Sequence, residues 1–344
     1  MPEPHVVAYS RNGFVGPFAF TAKPDYIVDY KRVAGSYAPR RFDPATISAQ
    51  AFADPRMLPV PILRDCGDDA LSVELSIRTA AMPFGVRNVF ADEVHVVTGG
   101  AASLETEFGV LSLVKDDIVL IPRAISYRIV DVRGTLTEWI AVSRPPLSMA
   151  MAPGFGPLRR MDSPSPYADP ISRQSGEYEL VIRHGDQLTS VFYEFDPVPG
   201  TTADGPSPVC KFNLDDLCSI DLSGEGLLLP PKIIADETDA NLFYDLSARK
   251  GDRPSIHYNA DFDELGFFLG GSGAWGDVSV PGALTHIPKG FPHQGPIEDV
   301  PEGYKAVLLE TRQRMTPTAA GLEISRLMET NQFGVHPSAA AQEV

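Results

Sequence analysis

The sequence of 344 residues carries 29 Lys and Arg against 45 Asp and Glu, a formal net charge of −16, with 43% hydrophobic and 22% charged residues. That balance excludes a disordered or fibrous chain, and the acidic surplus argues against a nucleic-acid partner, because phosphate backbones are held by clustered positive charge. The 29 Gly and 32 Pro suit many short strands joined by tight turns, so a mainly β protein of about two domains is expected.

In chain order, residues 1–70 are rich in aromatic and turn residues, show little periodicity and read as an N-terminal arm. From 71 to 143 the runs LSVELSIRTA, EVHVVTGG, ASLETEFGVLSLV and DDIVLIPRAISYRIVDV are alternating or β-branched and bounded by Gly or Asp, the pattern of a sandwich or barrel. Residues 144–226 open on the Pro-rich RPPLSMAMAPGFGPLRRMDSPSPYADP and continue with YELVIRHG and LTSVFYEF, a linker followed by further strands. A second β block spans 227–315 and ends in YKAVLLETR. In 316–344, Leu322, Ile324, Leu327 and Met328 of TAAGLEISRLMETNQF stand at roughly helical spacing and predict one short helix before a frayed tail.

No window approaches 18 apolar residues, and the amino terminus lacks a basic stretch followed by an apolar one, so neither a membrane span nor an export signal is expected. Cys66, Cys210 and Cys218 are too few and too scattered for a disulfide framework, which fits a reducing cytoplasm; Cys210 and Cys218 read as ordinary buried thiols. LGGSGAWGD lacks the Lys-Ser/Thr and the following helix of a phosphate loop.

An internal repeat organises the two β blocks. Sliding the chain by 171 places Val86, Asn88, Asp92, Glu93 and Gly100 under His257, Asn259, Asp263, Glu264 and Gly271. With five more residues between motifs in the first copy, Asp116, Pro122 and Tyr127 fall under Gly282, Pro288 and His293. The first copy has Val86 and Tyr127 where the second has histidines, so Asn88, Glu93, His95 and Tyr127 read as remnants and a metal is expected in the second copy alone.

Three of the seven histidines, His257, His286 and His293, are clustered in the second block, with Glu264 between them. A hairpin over YNADFDE can turn His257 and Glu264 inward together, and His293 follows the PKGFP turn. Two imidazoles and one carboxylate leave other coordination positions open, the 2-His-1-carboxylate pattern of non-haem Fe(II) oxygenases, and without a thiolate the set suits Fe(II) or Mn(II) better than a closed structural zinc site. Asp263 competes with Glu264 for the carboxylate position. Asn259 either adds a weak ligand or braces its own turn. His286 is either a proton acceptor for a phenol or a histidine bonded within the barrel. Phe267, Phe268, Trp275 and Phe291 are candidates for an apolar wall, or for core.

His257-x-Asn259-x4-Glu264-x6-Gly271 and Gly282-x5-Pro288-x-Gly290-x2-His293 resemble the two signature motifs of the cupin superfamily. More narrowly, HYNADFDELGFFLGG and GALTHIPKGFPHQGP resemble HRNxxxDE and LTLHPxGxPHGP of the homogentisate 1,2-dioxygenase family and its bacterial relatives, among them the larger subunit of two-subunit hydroquinone dioxygenases; FNLDDL and LLPP are weaker echoes. The resemblance covers about Tyr178 to Arg312, with Leu71 to Ser143 as a degenerate repeat. It implies two double-stranded β-helix (jelly-roll) barrels, an N-terminal arm and a short C-terminal helix. It also implies iron held by His257, Glu264 and His293 with Asn259 beside them, and ring opening of a hydroquinone-, gentisate- or homogentisate-like compound by O2. Where the family has PPSVH this chain has Pro230-Pro231-Lys232-Ile233-Ile234, so Ile234 replaces a histidine and homogentisate itself is not implied. Mn(II), Ni(II) or Zn(II) could occupy the site on purification. The alternatives are a metal-dependent cupin isomerase or hydrolase of small acids and a non-catalytic binding cupin. Fold analogy adds the expectation of an oligomer, a homodimer or larger, or a complex with a smaller second subunit.

Overall fold

A computed structural model describes residues 4–28, 30–47, 52–153, 158–167, 176–200, 206–217, 230–247, 256–270, 282–294 and 305–328. Gly271, Trp275 and Cys218 lie outside them. Strands β1 to β7 are His5–Ser10, Phe18–Lys23, Arg40–Phe42, Val60–Asp65, Leu71–Arg78, Gly85–Asn88 and Asp92–Thr106. Strands β8 to β14 are Gly109–Val114, Asp117–Ile121, Ser126–Ser143, Leu147–Met149, Tyr178–His184, Gln187–Tyr193 and Cys210–Asn213. Strands β15 to β22 are Lys232–Asp236, Asn241–Asp245, Ile256–Asn259, Asp263–Gly270, Leu284–Ile287, Lys305–Thr311, Met315–Pro317 and Ser325–Leu327. Among the described residues the one α-helix, α1, is Ala319–Glu323. The protein is mainly β, and among the described residues no helix is long and apolar enough to cross a membrane.

The chain divides into two units, residues 45–63 with 69–218 and residues 1–44 with 64–68 and 219–344. In the first (N-terminal) unit the long strand β7 pairs antiparallel with β10, β8 and β9. β10 turns back on β5 and β6, β6 is flanked in parallel by β12 of the β12–β13 hairpin, and β14 closes on β9. Period-2 alternation sends Val97, Leu104, Leu111, Val119, Ile121, Ile129 and Leu136 into one apolar core. The second (C-terminal) unit is built alike. β18 pairs with β19 and β20, β20 with β16, and β17 is flanked in parallel by β1 of the β1–β2 hairpin. β3 closes on β19.

The registers reproduce the repeat. Glu93 opposes Ile121 as Glu264 opposes Ile287, His95 opposes Val119 as Gly266 opposes Thr285, and Lys211 opposes Val119 as Arg41 opposes Thr285. The hairpin beside β17 therefore comes from the segment read as an arm, which forms a three-stranded sheet with β17 of the C-terminal unit. Such curled antiparallel sheets are consistent with cupin jelly-roll barrels.

The predicted C-terminal helix is shorter than its apolar spacing suggested. Thr318 caps it through Gly321 N–H at 3.0 Å, but after Glu323 the chain extends, and β22, with Leu327, pairs with β3. Pairing with an edge strand outweighs the helical preference of a segment this short.

Candidate metal centre

Three segments of the C-terminal unit build the site. His257 and Asn259 sit on β17, Glu264 at the start of β18, and His293 just beyond the turn Pro288–Phe291. In that turn Gly290 adopts φ +82°, a conformation open to glycine at little cost, and its N–H donates to Asn259 O at 2.7 Å. His257 and His293 then bond reciprocally, each N–H donating to the other carbonyl at 2.9 Å, which brings their ring centroids to 4.2 Å.

Glu264 lies between them. His293 Nε2 is 3.0 Å from Glu264 Oε2 and His257 Nε2 is 3.7 Å from Glu264 Oε1. One ligand atom from each of the three residues falls within 4.8 Å of the others. Ligand atoms about 2.1 Å from a shared cation stand about 3 Å apart at right angles, so the set fits a divalent transition metal. His293 Nδ1–H donates to Phe291 O at 3.1 Å, which leaves the Nε2 lone pair for a cation. Burial alone would raise the Glu264 carboxyl, but His293 and His257 outweigh it and hold it well below the usual carboxylate range. Glu264 and His293 are buried while His257 is half-buried.

Asn259 stands beside this cluster with its nitrogen, not its oxygen, toward it. Nδ2–H donates to Glu264 Oε1 and, at 3.3 Å, to Glu310 Oε1. It holds the Glu264 carboxylate.

The proton-acceptor role considered for His286 is corrected by strand parity. His286 opposes Leu265, whereas Glu264 opposes Ile287, so the imidazole points to the other face of the sheet. There Nε2 lies 2.9 Å from Asp263 Oδ2. Asp263 shares that outer face and is fully occupied, accepting from Tyr37 Oη at 2.6 Å, Lys289 N–H at 3.2 Å and Met315 N–H at 3.0 Å, so it no longer competes with Glu264. Of the aromatic residues considered for a wall, Phe268 and Phe291 pack with Ile287 and Ala306 on the inner side. Phe267, one residue from Phe268, faces the other way.

One buried acid beside this cluster escaped the sequence reading. Glu310, fully buried on β20, is the direct cross-strand neighbour of Glu264. Burial, and then the charge of Glu264, push its carboxyl well above the usual range, and among the described residues its Oε2 has no hydrogen-bond partner. The only signal available was a carboxylate inside the apolar run AVLLET.

No protein-family model matches the chain. Among solved structures it is similar to a cupin 2 conserved barrel domain protein from Leptotrichia buccalis, with 13% identity, a TM-score of 0.45 and coverage of 76% of this chain and 93% of that one. It is also similar to a salicylate 1,2-dioxygenase from Pseudaminobacter salicylatoxidans, with 10% identity, a TM-score of 0.45 and coverage of 85% and 89%. An oxalate decarboxylase from Bacillus subtilis matches with 12% identity, a TM-score of 0.42 and coverage of 84% and 81%. By its own strand pairing this chain is a mainly β protein of two units whose sheets are consistent with cupin jelly-roll barrels.

Proposed function

We propose that the C-terminal unit binds one divalent metal, Fe(II) in the working protein, through His257, Glu264 and His293, and that the protein is a dioxygenase opening the ring of a hydroxylated aromatic such as a hydroquinone or gentisate. The observation that carries this reading is the convergence of two imidazoles and one carboxylate, with no fourth His, Cys, Asp or Glu joining them among the described residues, which leaves positions for substrate and O2. A ferrous ion would supply the one-electron chemistry with O2 that none of these side chains can supply.

The chain's own residues supply the rest. Glu264 stays ionised and is held by Asn259. His293 is fixed in one tautomer by Phe291 O. Phe268, Ile287 and Phe291 present apolar surface on the Glu264 face, against which an aromatic ring can be oriented and water excluded. Two carboxyls, Glu264 and Glu310, give the same face an acidic inner end.

The test is metal content of anaerobically purified protein, followed by oxygen uptake with catechols, hydroquinones, gentisate and homogentisate. About one iron per chain with substrate-dependent uptake, both lost in Glu264→Ala, is expected for this triad. A zinc or manganese complement without uptake after iron reconstitution would turn the reading to an isomerase or hydrolase, and no metal at all would overturn the site.

A further inference from the structure

The N-terminal unit holds a polar cluster at the positions that correspond to the metal centre. Asn88 Nδ2–H donates to Glu93 Oε1 at 2.7 Å, as Asn259 does to Glu264, and Tyr127 Oη–H donates to Glu93 Oε2 at 2.7 Å, where His293 meets Glu264. Val86 takes the place of His257. The novelty is His95, two residues beyond Glu93 and therefore on the same inner face. Its ring is 2% exposed and lies between two carboxylates, Nε2 at 3.3 Å from Glu93 Oε2 and Nδ1 at 3.2 Å from Glu138 Oε1. The counterpart of His95 is Gly266, where a side chain has no room, since a Cβ would come within 2.9 Å of the Phe268 ring. The counterpart of Glu138 is Ala306, each standing opposite the residue two pleats along from its barrel's carboxylate, Val97 or Phe268.

We propose that the N-terminal unit is a metal site closed from within, in which the protonated His95 ring stands between Glu93 and Glu138 where a divalent cation would sit if Val86 and Tyr127 were histidines. This rests on the reading of the C-terminal site given above. Both ring nitrogens face carboxylate oxygens, so the ring can satisfy both only by carrying two protons. Burial alone would lower its pKa; the hydrogen bonds and charges of Glu138 and Glu93 outweigh burial and raise it to about 9. The remaining charges around it are balanced. Arg183 is bidentate to Glu74, with Nη1 to Oε2 at 2.8 Å, and Arg78 donates to the Pro55 and Met57 carbonyls at 3.2 and 2.8 Å. The cavity beside His95, bordered by Ser76, Arg78, Tyr127, Glu138 and Arg183, measures about 10 Å³, room for about one water.

Two experiments test this in the full chain. Copying the C-terminal residues into the N-terminal unit, as Val86→His, His95→Gly, Tyr127→His and Glu138→Ala together, is expected to raise bound Mn(II) or Zn(II) from about one to about two equivalents per chain. A folded variant with no additional metal overturns the proposal. Should that variant fail to fold, the ¹⁵N spectrum of His95 in the unaltered chain at neutral pH decides. Two protonated ring nitrogens support the proposal, and a neutral ring or a metal-bound one overturns it. Absence of metal from the unaltered chain, with His95 doubly protonated, would count against the C-terminal reading alone.

Discussion

Asn88 in the N-terminal unit and Asn259 in the C-terminal unit make the same bond to the same kind of carboxylate, yet only the second carboxylate stands between two histidines. The outer-face acids repeat as closely. Asp92 accepts from Arg123 N–H at 2.9 Å and Leu147 N–H at 2.7 Å, as Asp263 accepts from Lys289 and Met315. Even the turn is shared, for Ala124 N–H donates to Asn88 O at 2.7 Å as Gly290 does to Asn259 O. What both barrels keep is therefore frame, because it survives where no metal triad exists. What differs, Val86 against His257, His95 against Gly266, Tyr127 against His293 and Val142 against Glu310, is the chemistry.

The sharpest way to break this comparison is to remove the internal cation. His95→Ala leaves Glu93 and Glu138 buried without it and should destabilise the N-terminal unit by about 3–5 kcal/mol. Hydrogen exchange resolved by unit is the measurement, and equal protection in variant and parent would refute it. The same ring predicts a pH dependence. Because its folded value, about 9, lies above the ordinary 6.5, its contribution to stability is complete below about pH 6.5 and is lost as pH rises through about 9. The N-terminal unit should melt at a lower temperature at pH 10 than at pH 6.5, a difference that His95→Ala should shrink.

The two asparagines sharpen the comparison next. Asn259→Ala should weaken metal binding by about 10- to 100-fold, since it removes the group that orients a ligand, whereas Asn88→Ala should change stability and leave metal affinity alone. Titration calorimetry with Mn(II) separates them, and equal affinities in both variants would show that Asn259 has no part in the centre. His286→Ala tests the outer face: Asp263 keeps its other donors, so a loss of about 1 kcal/mol with unchanged metal content is expected. Metal loss in that variant would place the ring back at the site. The smallest effect concerns Ala124, held at φ +66° where a side chain is strained. Ala124→Gly should stabilise the N-terminal unit by about 0.5–1 kcal/mol, read from its denaturation midpoint.

The contrast also shows what sequence spacing can carry. Local pairs such as His257 with Glu264 were legible because only the short turn 260–262 separates β17 from β18, and the repeat offset was legible because both barrels use the same register. His286 was not, since its face depends on how β19 aligns with β18 across residues 271–281, and a slip of one residue reverses every side chain. Glu74, Glu138, Arg183 and Glu310 were missed for a related reason. Each is a charge inside an apolar run, and only strand pairing tells that it points into the barrel, opposite a partner far along the chain. The short C-terminal helix was legible, but its end was not, because an apolar spacing of three and four also fits a short turn followed by an edge strand.

The hairpin β1–β2 gives the C-terminal unit an order of events during synthesis. Val7 pairs with Ile256 and Ala8 with His257, so the strand that backs His257 leaves the ribosome roughly 250 residues before its partner, about 12–50 s earlier at about 5–20 residues per second. The N-terminal unit, whose own flanking hairpin β12–β13 lies within its span, can close in that interval. A nascent chain thus holds its first strand in waiting, with exposed Phe20 on β2, until the last third arrives to take it in.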